Sequence, residues 1–171
     1  TLKLIERNHT SDDFYRIYEM VVKMGFECIN TDIIAGLPGE NIRDFYNTLE
    51  KVINLNPDNI TLHSLSRKKI SLIGQDSSGN IKAGSLVYNI PDDNITSMMN
   101  MSFELIKKNL YLPYYLYRQK DTVGGQENTG YSKTGKFCVY NVAMMGDYAN
   151  VAGFGAKAVS KKIAKTSEGI S

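Results

Sequence analysis

Cysteine is scarce in this chain: two among 171 residues, Cys28 and Cys138. They stand far apart and make no CxxC pair, no zinc-ligand spacing and no framework of the kind that staples small secreted domains. A reducing, cytoplasmic setting is the natural expectation. Long apolar runs are missing as well. None approaches the roughly 20 residues a membrane span needs, and no secretory leader is visible. Charge of one sign is not in excess either, with twenty basic residues against eighteen acidic ones. No global field for nucleic acid follows from that balance, so neither nucleic acid nor a membrane is expected as a partner. What is present is an ordinary globular mixture, 42% hydrophobic and 22% charged. It argues against disorder and suffices for one domain with a real core.

The chain opens on Thr1 rather than Met, directly in the β-like run "TLKLI". It reads as a piece of a longer protein whose upstream part is its missing partner. Residues 10–26 predict a helix, capped by Thr10 or Ser11, with Asp12 and Asp13 in the first turn. Phe14, Ile17, Tyr18, Val21 and Met24 form its stripe, and Gly25 can close it. A strand follows over 27–35, a helix over 39–57 with Ile42, Phe45, Leu49, Val52 and Ile53 as its stripe, and a strand over 59–65. This β-α-β-α-β rhythm over residues 1–66 implies parallel strands with crossover helices. It breaks at residues 67–91, a polar insertion loop with several Gly and Ser. Residues 92–171 restore a helix ending before Pro113 and a strand over 114–119. They continue with a loop over 124–135, a short element over 137–145, a strand near 148–152 and a helix from about 156.

Parity in "INTDIIAGLPGE" is informative. Ile29, Thr31, Ile33 and Ala35 share one face of a strand, while Cys28, Asn30, Asp32, Ile34 and Gly36 share the other. On the next strand Ile60 and Leu62 lie opposite Asn59, Thr61 and His63. The apolar faces can meet helices. The other faces are too polar for a packed interior and suit a lumen that holds something polar. A carboxylate in an apolar core would be driven to take up a proton unless paired. Asp32 therefore either faces water and ligand or has a donor, with Arg7 as candidate partner or co-ligand at the carboxyl edge where ligands of α/β folds gather. The plainer alternative is a strand acid satisfied by Arg7, with "GLPG" only a tight turn.

The segment "GFECINTDIIAGLPGE" resembles that of oxygen-independent coproporphyrinogen III oxidases and their radical S-adenosylmethionine (SAM) relatives. "LNPDNITLHSL" and "YYLYRQK…GGQENTGYSKTGKFCVYN" resemble the same family, the latter in its coproporphyrinogen dehydrogenase branch, and "AGFGAKAVSK" resembles its late glycine-rich segment. The resemblance implies the second half of a partial (β/α)6 barrel with parallel strands, followed by a smaller α+β region. It also implies a [4Fe-4S] cluster on a CxxxCxxC loop, SAM on the cluster, and a radical that oxidatively decarboxylates propionates of a tetrapyrrole substrate to vinyls. No CxxxCxxC occurs in residues 1–171, so the cluster ligands are expected upstream and this piece alone is expected to be inactive.

On the same resemblance Arg7 and Asp32 match SAM-site residues, Asp32 suiting a ribose diol. Ile34, Gly36 and Leu37 would line the adenosine side, or merely pack their strand. For a substrate with four carboxylates, Arg67, Lys68 and Lys69 after the third strand and Arg118 after "YYLY" are candidate contacts, the first three reading more plainly as a solvated loop. His63 reads as a hydrogen-bonded core residue, Met98–Met101 as helix packing, and Gly153 and Gly155 as a tight turn. Two other readings stand beside the enzyme. One is a heme chaperone of the same superfamily, weakened because its His-Asn…Tyr-Trp motif is missing and the chain has no Trp. The other is a nucleotide-binding half-barrel without radical chemistry. An open barrel edge should also make the piece self-associate.

Overall fold

The structure, a computed structural model, describes residue 2 and residues 7–65, 91–118, 122 and 125–163. The proposed opening strand over 1–5, nearly all of the 67–91 insertion and the residues after 163 lie outside the described residues.

Helix α1 (Ser11–Lys23) starts where Thr10 and Asp13 cap each other: Asp13 N–H donates to Thr10 Oγ1 at 3.2 Å, and Thr10 N–H to Asp13 Oδ2 at 3.0 Å. This reciprocal box satisfies two otherwise orphaned donors. Gly25 follows at φ +73°, closing the helix as its sequence predicts. Strand β1 (Asn30–Ala35) leads to α2 (Ile42–Asn54), capped in the same way by Asn41 and Asp44. Strand β2 (Asn59–Ser64) then pairs parallel with β1, Asp32 opposite Thr61 and Ile34 opposite His63. The parallel reading of these two strands therefore holds. The "GLPG" turn has a packing reason. Gly36 is buried at φ +89°, and a Cβ there would come within 2.7 Å of Ile95 Cδ1 on α3 (Asp92–Lys108). Only glycine accepts both the left-handed backbone and that approach.

The second half departs from a simple βα repeat. Strand β3 (Leu112–Tyr117) is present, but residues 128–132, read from sequence as loop, form β4 (Asn128–Ser132). The sheet order is β1-β2-β4-β3, with β4 antiparallel to both neighbours. A short link can join antiparallel strands, whereas a parallel return needs a crossover of a dozen residues or more. Strand β4 thus runs back against β3, and β3 runs in the direction of β1 and β2 with β4 wedged between. Helix α4 (Val139–Gly146) matches the short element expected there. The strand expected near 148–152 is reduced to a single bridge, Val151 to Lys161, and residues 156–163 form no helix. Gly153 and Gly155 lie in the turn between the bridged residues, as expected; Gly153 N–H donates to Ser160 Oγ at 3.0 Å.

One face of the sheet is covered. Ile33, Ala35, Ile60, Leu62 and Tyr131 meet Phe45, Leu49, Val52 and Ile53 of α2 and Ile95, Met98, Met99 and Ile106 of α3. The methionine run packs as its spacing predicts. The α1 stripe does not: of its five residues only Tyr18 is buried, its hydroxyl donating to Leu55 O at 3.0 Å. Phe14, Ile17 and Met24 stay exposed because nothing among the described residues covers them.

Candidate functional site

The face of the sheet away from α2 and α3 is polar, as the parity of β1 and β2 predicts. A row of residues crosses all four strands: Asp32 opposite Thr61, Thr61 opposite Gly130, Gly130 opposite Tyr115. Gly130 is the gap in this row. A Cβ there would clash with the Tyr115 ring at its Cε1, so the missing side chain lets that ring lie across β4 and bring its hydroxyl to Thr61 Oγ1, at 3.4 Å. Tyr115 and Tyr117, two apart on β3, project from one face and their rings stack at 10° with centroids 6.4 Å apart.

Hydrogen bonds run along this face to Asp32. Thr61 Oγ1 donates to Asn30 Oδ1 at 3.1 Å, and Asn30 Nδ2 donates to Asp32 Oδ1 at 2.7 Å. A threonine hydroxyl has one proton. With that proton on Asn30, the Tyr115 O–H is the donor to Thr61. One row along, Tyr117 OH lies 3.2 Å from His63 Nδ1, and His63 Nε2 lies 3.9 Å from the same Asp32 Oδ1. Burial pushes both tyrosine pKa values up, so the phenols keep their protons. The His63 imidazole, and behind it the Asn30 amide and Thr61 hydroxyl, hold the Asp32 carboxyl below the usual carboxylate range against the opposing cost of burial. Asp32 is thus ionised at neutral pH, with its side chain 61% exposed. It is an acceptor presented to the outside of the sheet.

Asp32 borders a cleft of about 320 Å³ between the start of α1, β1 and α2. Ile34 and Leu37 line it, giving an apolar flank beside the carboxylate, and His9 and Glu40 line it too. Glu40 is unusual. Among the described residues its Oε2 is buried with no hydrogen-bond partner, and burial, aided by Asp44 nearby, raises its pKa to about 7.

The structure thus brings Asp32, Ile34 and Leu37 to one cleft. Gly36 is buried under Ile95 and serves the turn rather than the cleft wall. Arg7 is exposed, and among the described residues the side chain paired with Asp32 is His63 rather than Arg7. Among the described residues no ion pair joins Arg7 to Asp32, although His9 and Thr10, two and three residues on, line the same cleft as Asp32. Arg118 lies elsewhere, in a groove with Met99, Phe103 and Leu116, where its Nη2 donates to Gly125 O at 3.3 Å. Arg67, Lys68 and Lys69 lie outside the described residues. Sequence reasoning missed Tyr115, Tyr117 and Glu40. The tyrosines had a signal, same-face spacing in "YYLY"; Glu40 had none.

Among the described residues no three His, Cys, Asp or Glu side chains stand together in a way that could hold a metal ion, so they do not fit an iron–sulfur cluster. Cys28 and Cys138 are free thiols. Cys28 sits at the opposite end of β1 from the cleft, where burial raises its thiol pKa and Asn59 Nδ2 donates to its sulfur at 2.7 Å. A ribose diol does fit beside Asp32: it needs a paired acceptor, and an ionised, outward carboxylate with an apolar flank supplies one. No helix among the described residues is long and apolar enough to cross a membrane.

No protein-family model matches the chain. The oxygen-independent coproporphyrinogen-III oxidase-like protein HemZ of Bacillus subtilis is 36% identical over 163 residues, 95% of this chain and 31% of that protein. The heme chaperone HemW of Lactococcus lactis is 38% identical over 64 residues, 37% of this chain and 17% of its own. A solved structure of coproporphyrinogen III oxidase (HemN) from Escherichia coli, described as a radical SAM enzyme, matches 93% of this chain and 35% of its own with a TM-score of 0.62 at 16% identity, which shows a shared fold. The chain spans about a third of the length of the relatives it matches along nearly its whole course. The resemblance carried by its motifs is thereby shown: over 95% of its length this chain is similar to part of an oxygen-independent coproporphyrinogen-III oxidase-like protein.

Proposed function

We propose that this chain supplies the adenosyl-binding wall of a radical SAM enzyme of the coproporphyrinogen-oxidase type, as part of a partial barrel completed by residues not in this sequence. The observation that carries the reading is Asp32, kept ionised on the polar face of β1 beside a cleft flanked by Ile34 and Leu37. Its carboxylate accepts both hydroxyls of a ribose, and the two apolar side chains cover an adenine edge. The polar face continues through Thr61, Tyr115, Tyr117 and His63, which leaves a hydrogen-bonding floor for a substrate that carries carboxylates. When bound, the cofactor and its cluster would supply the adenosyl radical that takes hydrogen from a propionate of coproporphyrinogen III. With no CxxxCxxC in residues 1–171, this chain by itself carries out no such step. A tetrapyrrole with four carboxylates calls for cations at the rim, and Arg118 with the Arg67–Lys68 pair are the candidates from this chain.

The test is binding in the intact protein. Asp32→Asn keeps the shape of the side chain and removes its charge, and S-adenosylmethionine should bind about tenfold more weakly or worse, a charged hydrogen bond being worth roughly 1.5–3 kcal/mol. Wild-type affinity in the variant would remove the ground for the reading. The heme-carrier alternative rests on similarity over 64 residues against 163 for the oxidase-like relative. Heme titrated into the intact protein should give no tight Soret shift.

A further inference from the structure

We infer that His63 and Tyr117 act together as positioning residues for Asp32: the Tyr117 hydroxyl selects the His63 tautomer that presents its Nε2 proton to the ligand-facing carboxylate. The inference rests on the reading of Asp32 as the ribose acceptor and adds the groups that aim it.

The argument is one of proton direction. Tyr117 O and His63 Nδ1 are 3.2 Å apart, so exactly one proton lies between them. Burial keeps the phenol protonated. With the ionised Asp32 carboxylate facing Nε2, the imidazole proton is held on Nε2, so Nδ1 is the acceptor and the Tyr117 O–H donates to it. Nε2 faces Asp32 Oδ1 at 3.9 Å. That separation is longer than a hydrogen bond, and a rotation of the exposed carboxylate closes it. The opposite tautomer would turn a lone pair toward a carboxylate and repel it.

The second chain makes the assignment sharper. Tyr115, Thr61 and Asn30 pass their protons the same way and end on the same oxygen, Oδ1. Two tyrosine-headed chains on one oxygen fix the carboxylate plane with the other edge turned to the cleft. The His63 and Tyr117 rings also meet edge to face, centroids 6.2 Å apart. Tyr117→Phe therefore keeps the packing and removes only the proton.

The experiment uses the intact, cluster-bearing protein. S-adenosylmethionine affinity is measured by anaerobic calorimetry, with a melting temperature for each variant. His63→Ala should weaken binding about tenfold. His63→Gln should stay within about threefold of wild type, because an amide can accept from Tyr117 and donate to Asp32. Tyr117→Phe should weaken binding with an unchanged melting temperature and move the ¹⁵N shifts of His63 away from the Nε2–H pattern. Asp32→Asn is run beside them. Loss of binding in Asp32→Asn with wild-type affinity in His63→Ala and Tyr117→Phe overturns the inference alone. Wild-type affinity in Asp32→Asn overturns the site reading and the inference with it. If His63→Ala does not fold, Tyr117→Phe decides: unchanged affinity and unchanged ¹⁵N shifts overturn the inference.

Discussion

At the scale of single residues, two acids of one cleft are pushed in opposite directions. Asp32 has donors around it and stays charged; Glu40 is dominated by the loss of water, which outweighs its backbone hydrogen bond at Leu37, and its pKa rises from 4.5 to about 7. The sign for Glu40 follows from linkage. The folded chain holds its proton more tightly than the unfolded chain, so stability is full below about pH 4.5 and declines as pH rises toward 7. Glu40→Gln should flatten that decline, read as denaturant midpoints across this range. A slope that persists in the variant would show that the carboxyl is not the source. Asp32 was legible in the sequence through parity alone, since a period of two fixes which face a strand residue takes. Its partner was not. The pairing with His63 depends on the parallel register of β1 and β2, which is not encoded near Asp32 itself.

At the scale of elements, the first four described ones are written locally: a cap, an apolar stripe at helical spacing, then an apolar–polar alternation. They form where those signals stand. Strand β4 carries the opposite signals. "NTGYS" has little β propensity, yet all five residues are buried between β2 and β3. It is a strand because of its neighbours. Asn128 Oδ1 accepts from Ser64 N–H at 2.8 Å, and Gly130 makes room for Tyr115. Gly130→Ala should therefore cost about 1–3 kcal/mol through overpacking, measured by chemical denaturation. In a Tyr115→Ala background the same change should cost much less, because the clash is with that ring. Equal costs in both backgrounds would mean that Gly130 is needed for its backbone and not for the space.

At the scale of the whole molecule, large apolar surface lies open. Phe14, Ile17 and Met24 on α1 are exposed, as are Val139 and Tyr148 around α4 and Phe154 in the turn beyond it, the last at 91%. Surface of this extent marks contact with other protein. Sedimentation of this chain should show reversible association that grows with concentration. A single monomeric boundary at high concentration would count against it. The order β1-β2-β4-β3 has a further consequence, for how the chain is made. Strand β2 is complete at Ser64, but its second neighbour begins only at Asn128. While a ribosome delivers the residues between, one flank of β2 has bare amides and carbonyls, and β3 emerges with no place beside it. The sheet can be sealed only when the last strand to be synthesised slides into its interior, so a nascent chain halted anywhere before Ser132 carries an open seam.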